Sequence, residues 1–133
     1  MTSETTPEIT LYERLGGAEA LRALVDRFYD LMALETEFAG IHALHPQPLD
    51  GSRDKLVWFL SGWMGGPNLY IEQFGHPRLR ARHLPFKIGV AERDQWLRCM
   101  AWAMQDLAIE EGLQQHLMRS FYETADWMRN TPE

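Results

Sequence analysis

Apolar residues recur along most of this chain at spacings of three and four, the interval that places side chains on one face of an α-helix. Between Ala18 and Leu34, one stripe is formed by Leu21, Leu24, Val25, Phe28, Leu31 and Met32. Arg53 to Met64 carries Leu56, Phe59, Leu60 and Trp63 in the same rhythm. Glu92 to Glu110 carries Trp96, Leu97, Met100, Met104 and Leu107, and a last stripe joins Leu113, Leu117, Phe121, Ala125 and Met128. Three shorter helices are predicted. Leu11 to Leu15 is stopped by Gly16-Gly17. Glu35 to His42 is the second. Pro77 to Leu84 is the third, with Pro77 in its first turn, where a missing N–H costs nothing, and Pro85 ending it.

The breaks are as informative as the stripes. Gly65-Gly66-Pro67 and Gly112 are read as stops, ALHPQPLDGS (43–52) as a loop, and NLYIEQFG (68–75) is ambiguous. No Val/Ile-rich alternation competes as a strand. The chain is therefore all-α: one domain over 9–133, behind a polar, acidic tail over 1–8 that is expected to be disordered. Its four substantial helices surround a long irregular middle. A structureless stretch of that length inside a small domain usually wraps something functional.

Composition narrows the options. The 133 residues, 45% of them hydrophobic, suit a single buried core. A net charge of -6 argues against a general nucleic-acid surface, which must be cationic. No apolar run reaches membrane-span length, and the opening MTSETTPE lacks the basic and apolar regions of a signal peptide. A soluble, cytoplasmic protein without membrane or nucleic-acid partners is expected. The single Cys99 makes no internal disulfide and belongs to no zinc or iron–sulfur cluster; it reads as a small core residue. One local cationic cluster stands out, made of Arg78, Arg80, Arg82 and Lys87. It suits either a specific small anion or a solvated face.

The segment GHPRLRARHLPF holds His76 and His83, seven residues apart. On one helix they would be separated by roughly 10 Å, far beyond the reach of a single metal with bonds of about 2 Å. At most one is a direct ligand. His76 precedes Pro77 and suits a capping or loop position. His83, in the last turn, can project into the core while the arginines stay wet. A zinc site on His42 and His45 lacks the further ligands that would complete a tetrahedron. Haem uses what the chain does offer: one neutral imidazole, a large apolar slot, and cations for two propionates, for which Lys55 and Arg82 are candidates.

Four segments in order, RFY (27–29), GGP (65–67), GHPRLRARHLPF (75–86) and ERDQWLRCM (92–100), resemble the truncated haemoglobins, in particular the bacterial group II. The likeness runs from about Tyr12 to Trp127. It implies a shortened globin fold in which two helix pairs, two over two, sandwich haem b, and an extended loop precedes the proximal helix. It also implies that the glycine pairs serve tight turns.

Carried over residue by residue, the resemblance makes His83 the iron ligand. Tyr29, Trp96 and His42 become distal groups that stabilise a bound ligand, with His45 the alternative to His42. Ser52, Lys55, Leu56, Phe59, Tyr70, Arg82 and Phe86 become haem contacts. Ser52 stands where larger globins place a distal histidine, which leaves that gate open. No residue is assigned as catalytic.

The function this implies is reversible binding of O2, CO, NO, cyanide or sulfide. Redox detoxification is expected with it, as NO dioxygenase or peroxidase-like activity fed by an unidentified electron donor, from a monomer or weak homodimer. A non-catalytic O2/NO sensor is the alternative, and a haem-free helical interaction domain a third reading.

Overall fold

The computed structural model describes residues 9–132; the expected tail over 1–8 lies outside the described residues, as does residue 133. Eight α-helices follow in order: α1 (Leu11–Leu15), α2 (Gly17–Leu34), α3 (Ala39–His42), α4 (Asp50–Trp63), α5 (Leu69–Phe74), α6 (Leu79–His83), α7 (Val90–Asp106) and α8 (Glu111–Trp127). A 3-10 turn, Thr36–Phe38, joins α2 to α3. No strand occurs among the described residues.

The four long helices are the four predicted stripes. They form two packed pairs, α2 with α4 and α7 with α8, joined where α2 crosses α7. The α2 stripe is buried as Leu21, Leu24, Val25, Phe28, Tyr29, Leu31 and Met32. It meets Leu97, Cys99, Met100, Ala103 and Met104 of α7, while Leu113, Leu117 and Phe121 of α8 complete the core. Each large apolar side chain buried this way contributes roughly 1.5–3 kcal/mol, which is why the stripes set the architecture.

The ends of the helices depart from expectation in instructive ways. At α1, Thr10 Oγ1 accepts from the Glu13 N–H at 3.1 Å while Glu13 Oε1 accepts from the Thr10 N–H at 3.1 Å, a reciprocal cap. Gly112 does not break the chain. It lies in the first turn of α8, and Glu110 caps that helix by accepting from the N–H groups of Gly112 and Leu113 at 3.1 and 2.9 Å. The break falls earlier, around Ala108, which adopts a positive φ of 52°. Pro77 lies outside α6, because Arg78 precedes the helix in the left-handed region with φ 48°. The ambiguous NLYIEQFG stretch supplies α5, and α4 starts at Asp50, inside the predicted loop.

The turn after α4 needs both of its glycines, for different reasons. Gly65 has φ +90°, a conformation costly for any residue with a Cβ. Gly66 is instead covered by a ring: a Cβ there would sit 2.5 Å from a Tyr12 ring atom. The buried Ser61 hydroxyl donates to the Pro67 carbonyl at 2.7 Å and fixes the turn from below.

Candidate functional site

Between the two helix pairs lies a cavity of about 390 Å³ with walls drawn from α2 to α8. Tyr29, Ser52, Leu56, Phe59 and Tyr70 line it, as do Arg82, His83, Phe86 and Trp96, with Lys55 at its edge. These residues are scattered over sixty-eight positions of sequence, from Tyr29 to Trp96, yet line one cavity. The lining is mostly aliphatic and aromatic, with a few polar groups facing in, the usual make-up of a site for a small organic ligand.

His83 ends α6. Its Nδ1 lies 2.6 Å from the Leu79 carbonyl oxygen, so Nδ1 carries the proton and donates it there. That bond leaves Nε2 as a bare lone pair and fixes the ring against its own helix, the arrangement usual for a metal-binding imidazole. Among the described residues Nε2 has no protein partner.

Tyr29 is 5% exposed, and its hydroxyl has no hydrogen-bond partner among the described residues. A buried donor left without a partner is rare and usually marks a function. Its ring is held on three sides: by Phe28 edge-on at 5.0 Å, by His45 edge-on at 5.6 Å, and by the Arg53 guanidinium at 5.8 Å from its centroid. Burial pushes the Tyr29 phenol well above its ordinary value, only partly offset by the charge of Arg53. The group therefore remains an O–H donor at physiological pH. Trp96 is wedged between Phe28 and Phe121, each at 5.2 Å, and its indole N–H is likewise unpaired among the described residues.

The assignment of His42 to this wall is corrected by the structure. His42 ends α3, and its Nε2 accepts from the Gln47 side chain at 3.1 Å, away from the cavity. His45 takes the wall position instead. The chain leaves the helix at Ala43, and His45 folds back so that its Nδ1 donates to the Ile41 carbonyl at 2.8 Å. In that tautomer Nε2 accepts but does not donate. Burial holds the imidazole below its ordinary value of 6.5, the Ile41 bond opposing and His42 and His83 adding to the effect.

Arg53 escaped the sequence reading. Its Nη1 donates to the Asp26 carbonyl and carboxylate at 3.0 and 3.2 Å, and its Nη2 to Asp30 at 2.7 Å, so it ties the first turn of α4 to α2 beneath Tyr29. Nothing in the Ser-Arg-Asp-Lys run distinguishes it from a solvated helix face. Arg93, which unlike Arg53 lines the cavity, is held by Asp94 at 3.0 Å and Asp126 at 2.8 Å. Neither arginine is free to bind an anion. Arg82 is different: only its Nε is used, on the Pro77 carbonyl at 2.7 Å, and its guanidinium rests 5.9 Å from the Tyr70 ring centroid. Of the other arginines in the cationic segment, Arg80 is spent on backbone carbonyls of the chain end, and the Arg78 N–H donates to His76 Nδ1 at 3.0 Å. The cluster is therefore several separate devices.

Comparison with known proteins places this arrangement. The family of bacterial-like globins matches residues 10–130. The group 2 truncated hemoglobin YjbI of Bacillus subtilis is 39% identical over 122 residues, 92% of this chain and 89% of that protein. Among solved structures, the cold-adapted truncated hemoglobin of the Antarctic marine bacterium Pseudoalteromonas haloplanktis superposes with a TM-score of 0.89 at 41% identity, covering 92% of this chain and 99% of that one. The group II 2-on-2 hemoglobin of Agrobacterium tumefaciens gives the same score and identity, covering 96% and 98%. The chain is a group II truncated haemoglobin. Its two helix pairs are the two-over-two sandwich of that fold.

Membership of this globin family implies a haem cofactor and haem-based ligand binding, and the site carries the features that such a group requires. A truncated haemoglobin needs one imidazole with a free lone pair, and His83 offers it with the ring already locked. It needs a large apolar slot, and the cavity is one. It needs cations for two carboxylates at the open edge, where Lys55 and Arg82 are exposed; Lys55 makes no ion pair among the described residues. The Tyr29 hydroxyl adds an unpaired polar donor to the lining of that slot. The residues fit haem.

Proposed function

We propose that this protein holds haem b through His83 Nε2 and binds O2, with CO, NO, cyanide and sulfide as other ligands. We further propose that it turns bound ligand over in redox detoxification, oxidising NO with O2 or reducing peroxide. The observation that carries this reading is the buried, unpaired Tyr29 hydroxyl lining the same cavity as the bare Nε2 of His83. When bound, the haem supplies an iron that takes small ligands and exchanges electrons with an outside donor.

The chain's own residues set what happens next to it. Lys55 and Arg82 receive the propionates. Tyr29 and Trp96 present two donors that keep their protons across the physiological range, one because burial raises its pKa and the other because an indole does not titrate there. Each hydrogen bond to a ligand carrying partial negative charge contributes roughly 1.5–3 kcal/mol in a water-poor site. Two such bonds make release slow. A slow-release globin is a poor carrier and a better place for chemistry, which is why detoxification is preferred to transport.

The test is an absorption spectrum of purified protein, ferric and ferrous, with and without CO. A Soret band that shifts with CO, and that loses its proximal-histidine signature in His83→Ala, is expected. A colourless protein that ignores added haemin would overturn the haem reading. Stopped-flow mixing of the oxygenated protein with NO addresses turnover, and a reaction no faster than that of free haem would overturn it.

A further inference from the structure

α6 carries His83, yet little in the helix itself holds it. It has five residues, far fewer than a helix needs to persist alone. No side chain caps its N-terminus, none of its residues is buried, and no other helix packs broadly against it. What fixes it comes from the far end of the chain. Asn130 Nδ2 donates to the His83 carbonyl at 3.2 Å and to the Phe86 carbonyl at 2.7 Å. Asn130 Oδ1 accepts from the Ile88 N–H at 2.9 Å, and the Asn130 backbone N–H donates to the Ile88 carbonyl at 2.8 Å. In the opposite direction, Arg80 Nη1 reaches back to the Trp127 and Arg129 carbonyls at 3.1 and 3.0 Å.

We propose that Asn130, seconded by Arg80, is a positioning residue for the proximal histidine: it sets the orientation of the His83 imidazole by holding the backbone on which that ring is locked. This rests on His83 being the iron ligand. The link is mechanical. The His83 ring is tied to the Leu79 carbonyl of its own helix, so any rotation of α6 rotates the ring with it. Asn130 grips the last carbonyl of α6 and the two anchor points of the loop that follows. A role as an ordinary cap of α8 does not account for this side chain. All its bonds go to the 83–88 segment and none to a carbonyl of α8.

The test is resonance Raman spectroscopy of the ferrous holoprotein at the iron–histidine stretch, together with the rate of haem transfer to apomyoglobin. Asn130→Ala should shift or broaden the band and speed haem loss about tenfold, the effect of losing one to two hydrogen bonds. Asn130→Asp keeps the acceptor for Ile88 but loses both donations, and should behave like the alanine variant. Arg129→Ala is the control. It cuts the Arg129–Asp126 bond at 2.8 Å and touches no side-chain bond to the 83–88 segment, so it should leave the band in place. If Asn130→Ala does not fold, Arg80→Gln replaces it, with a smaller shift expected. A band unmoved in the Asn130 or Arg80 variants overturns the inference. A wild-type protein with no iron–histidine band overturns the haem reading, and this inference with it.

Discussion

Replacing Tyr29 with phenylalanine separates two effects that usually travel together. Removing a buried tyrosine hydroxyl ordinarily breaks a hydrogen bond and costs about 0.5–1.5 kcal/mol of stability. Here the hydroxyl has no partner among the described residues, so the fold loses no bond, and the ring keeps its contacts with Phe28, His45 and Arg53. The melting temperature of the protein without haem should hold or rise. Ligand release should respond in the opposite sense. Loss of one donor to a partly charged ligand, about 1.5–3 kcal/mol, corresponds to O2 leaving roughly 10 to 150 times faster. Circular-dichroism melts read the first quantity, and stopped-flow O2 displacement by CO the second. A melting temperature several degrees lower with an unchanged O2 release rate would refute the reasoning, because it would mean that Tyr29 bonds to protein and not to ligand.

Three further outcomes follow from the geometry. His45 has a folded-state pKa below its ordinary 6.5, so the unfolded chain takes up the proton first; the stability it contributes is full above that value and is lost as pH falls toward the folded value. The His45-dependent step in the ferric spectrum should therefore be centred below 6.5, and a step centred at or above 6.5 that disappears in His45→Phe would count against this. Gly66→Ala drives a Cβ into the Tyr12 ring and should lower the melting temperature by roughly 5–10 °C; an unchanged melt would show that the ring moves aside freely. Cys99 is fully buried, its Sγ donates to the Phe28 carbonyl at 3.1 Å, and burial pushes its thiol up to about 12, so Ellman's reagent should label it only after denaturation.

The long helices were legible because burial selects their apolar stripes, and burial is what the spacing records. α5 and α6 were harder to read because helices of six and five residues are set by their surroundings, not by their own sequence. Pro77 illustrates this: its fixed φ suits a helix start, but the left-handed Arg78 postpones the helix by two residues. His42 and His45 mark a second limit. Side-chain direction follows from spacing only while the helix lasts, and α3 ends at His42, so which histidine faces inward depends on the turn after it. Arg53 and Asn130 left no signal, since each acts through carbonyls and carboxylates that only the folded chain brings near. The cavity-lining set from Tyr29 to Trp96 is legible mainly through ordered segments shared with a family, and the cavity these residues line together is why those segments go together.

The tryptophans have a practical consequence. Trp63, stacked on Phe121 at 4.8 Å with an interplanar angle of 8°, and Trp96 both face the cavity, whereas Trp127 is 60% exposed at the end of α8. The chain thus carries its own fluorescent reporter of occupancy. A light-absorbing group entering the cavity should darken the two cavity-facing, half-buried indoles most, leaving emission weighted toward Trp58, Trp102 and the redder, solvated Trp127. Uptake and loss of the cofactor can then be followed in real time, without a label, in every variant described above.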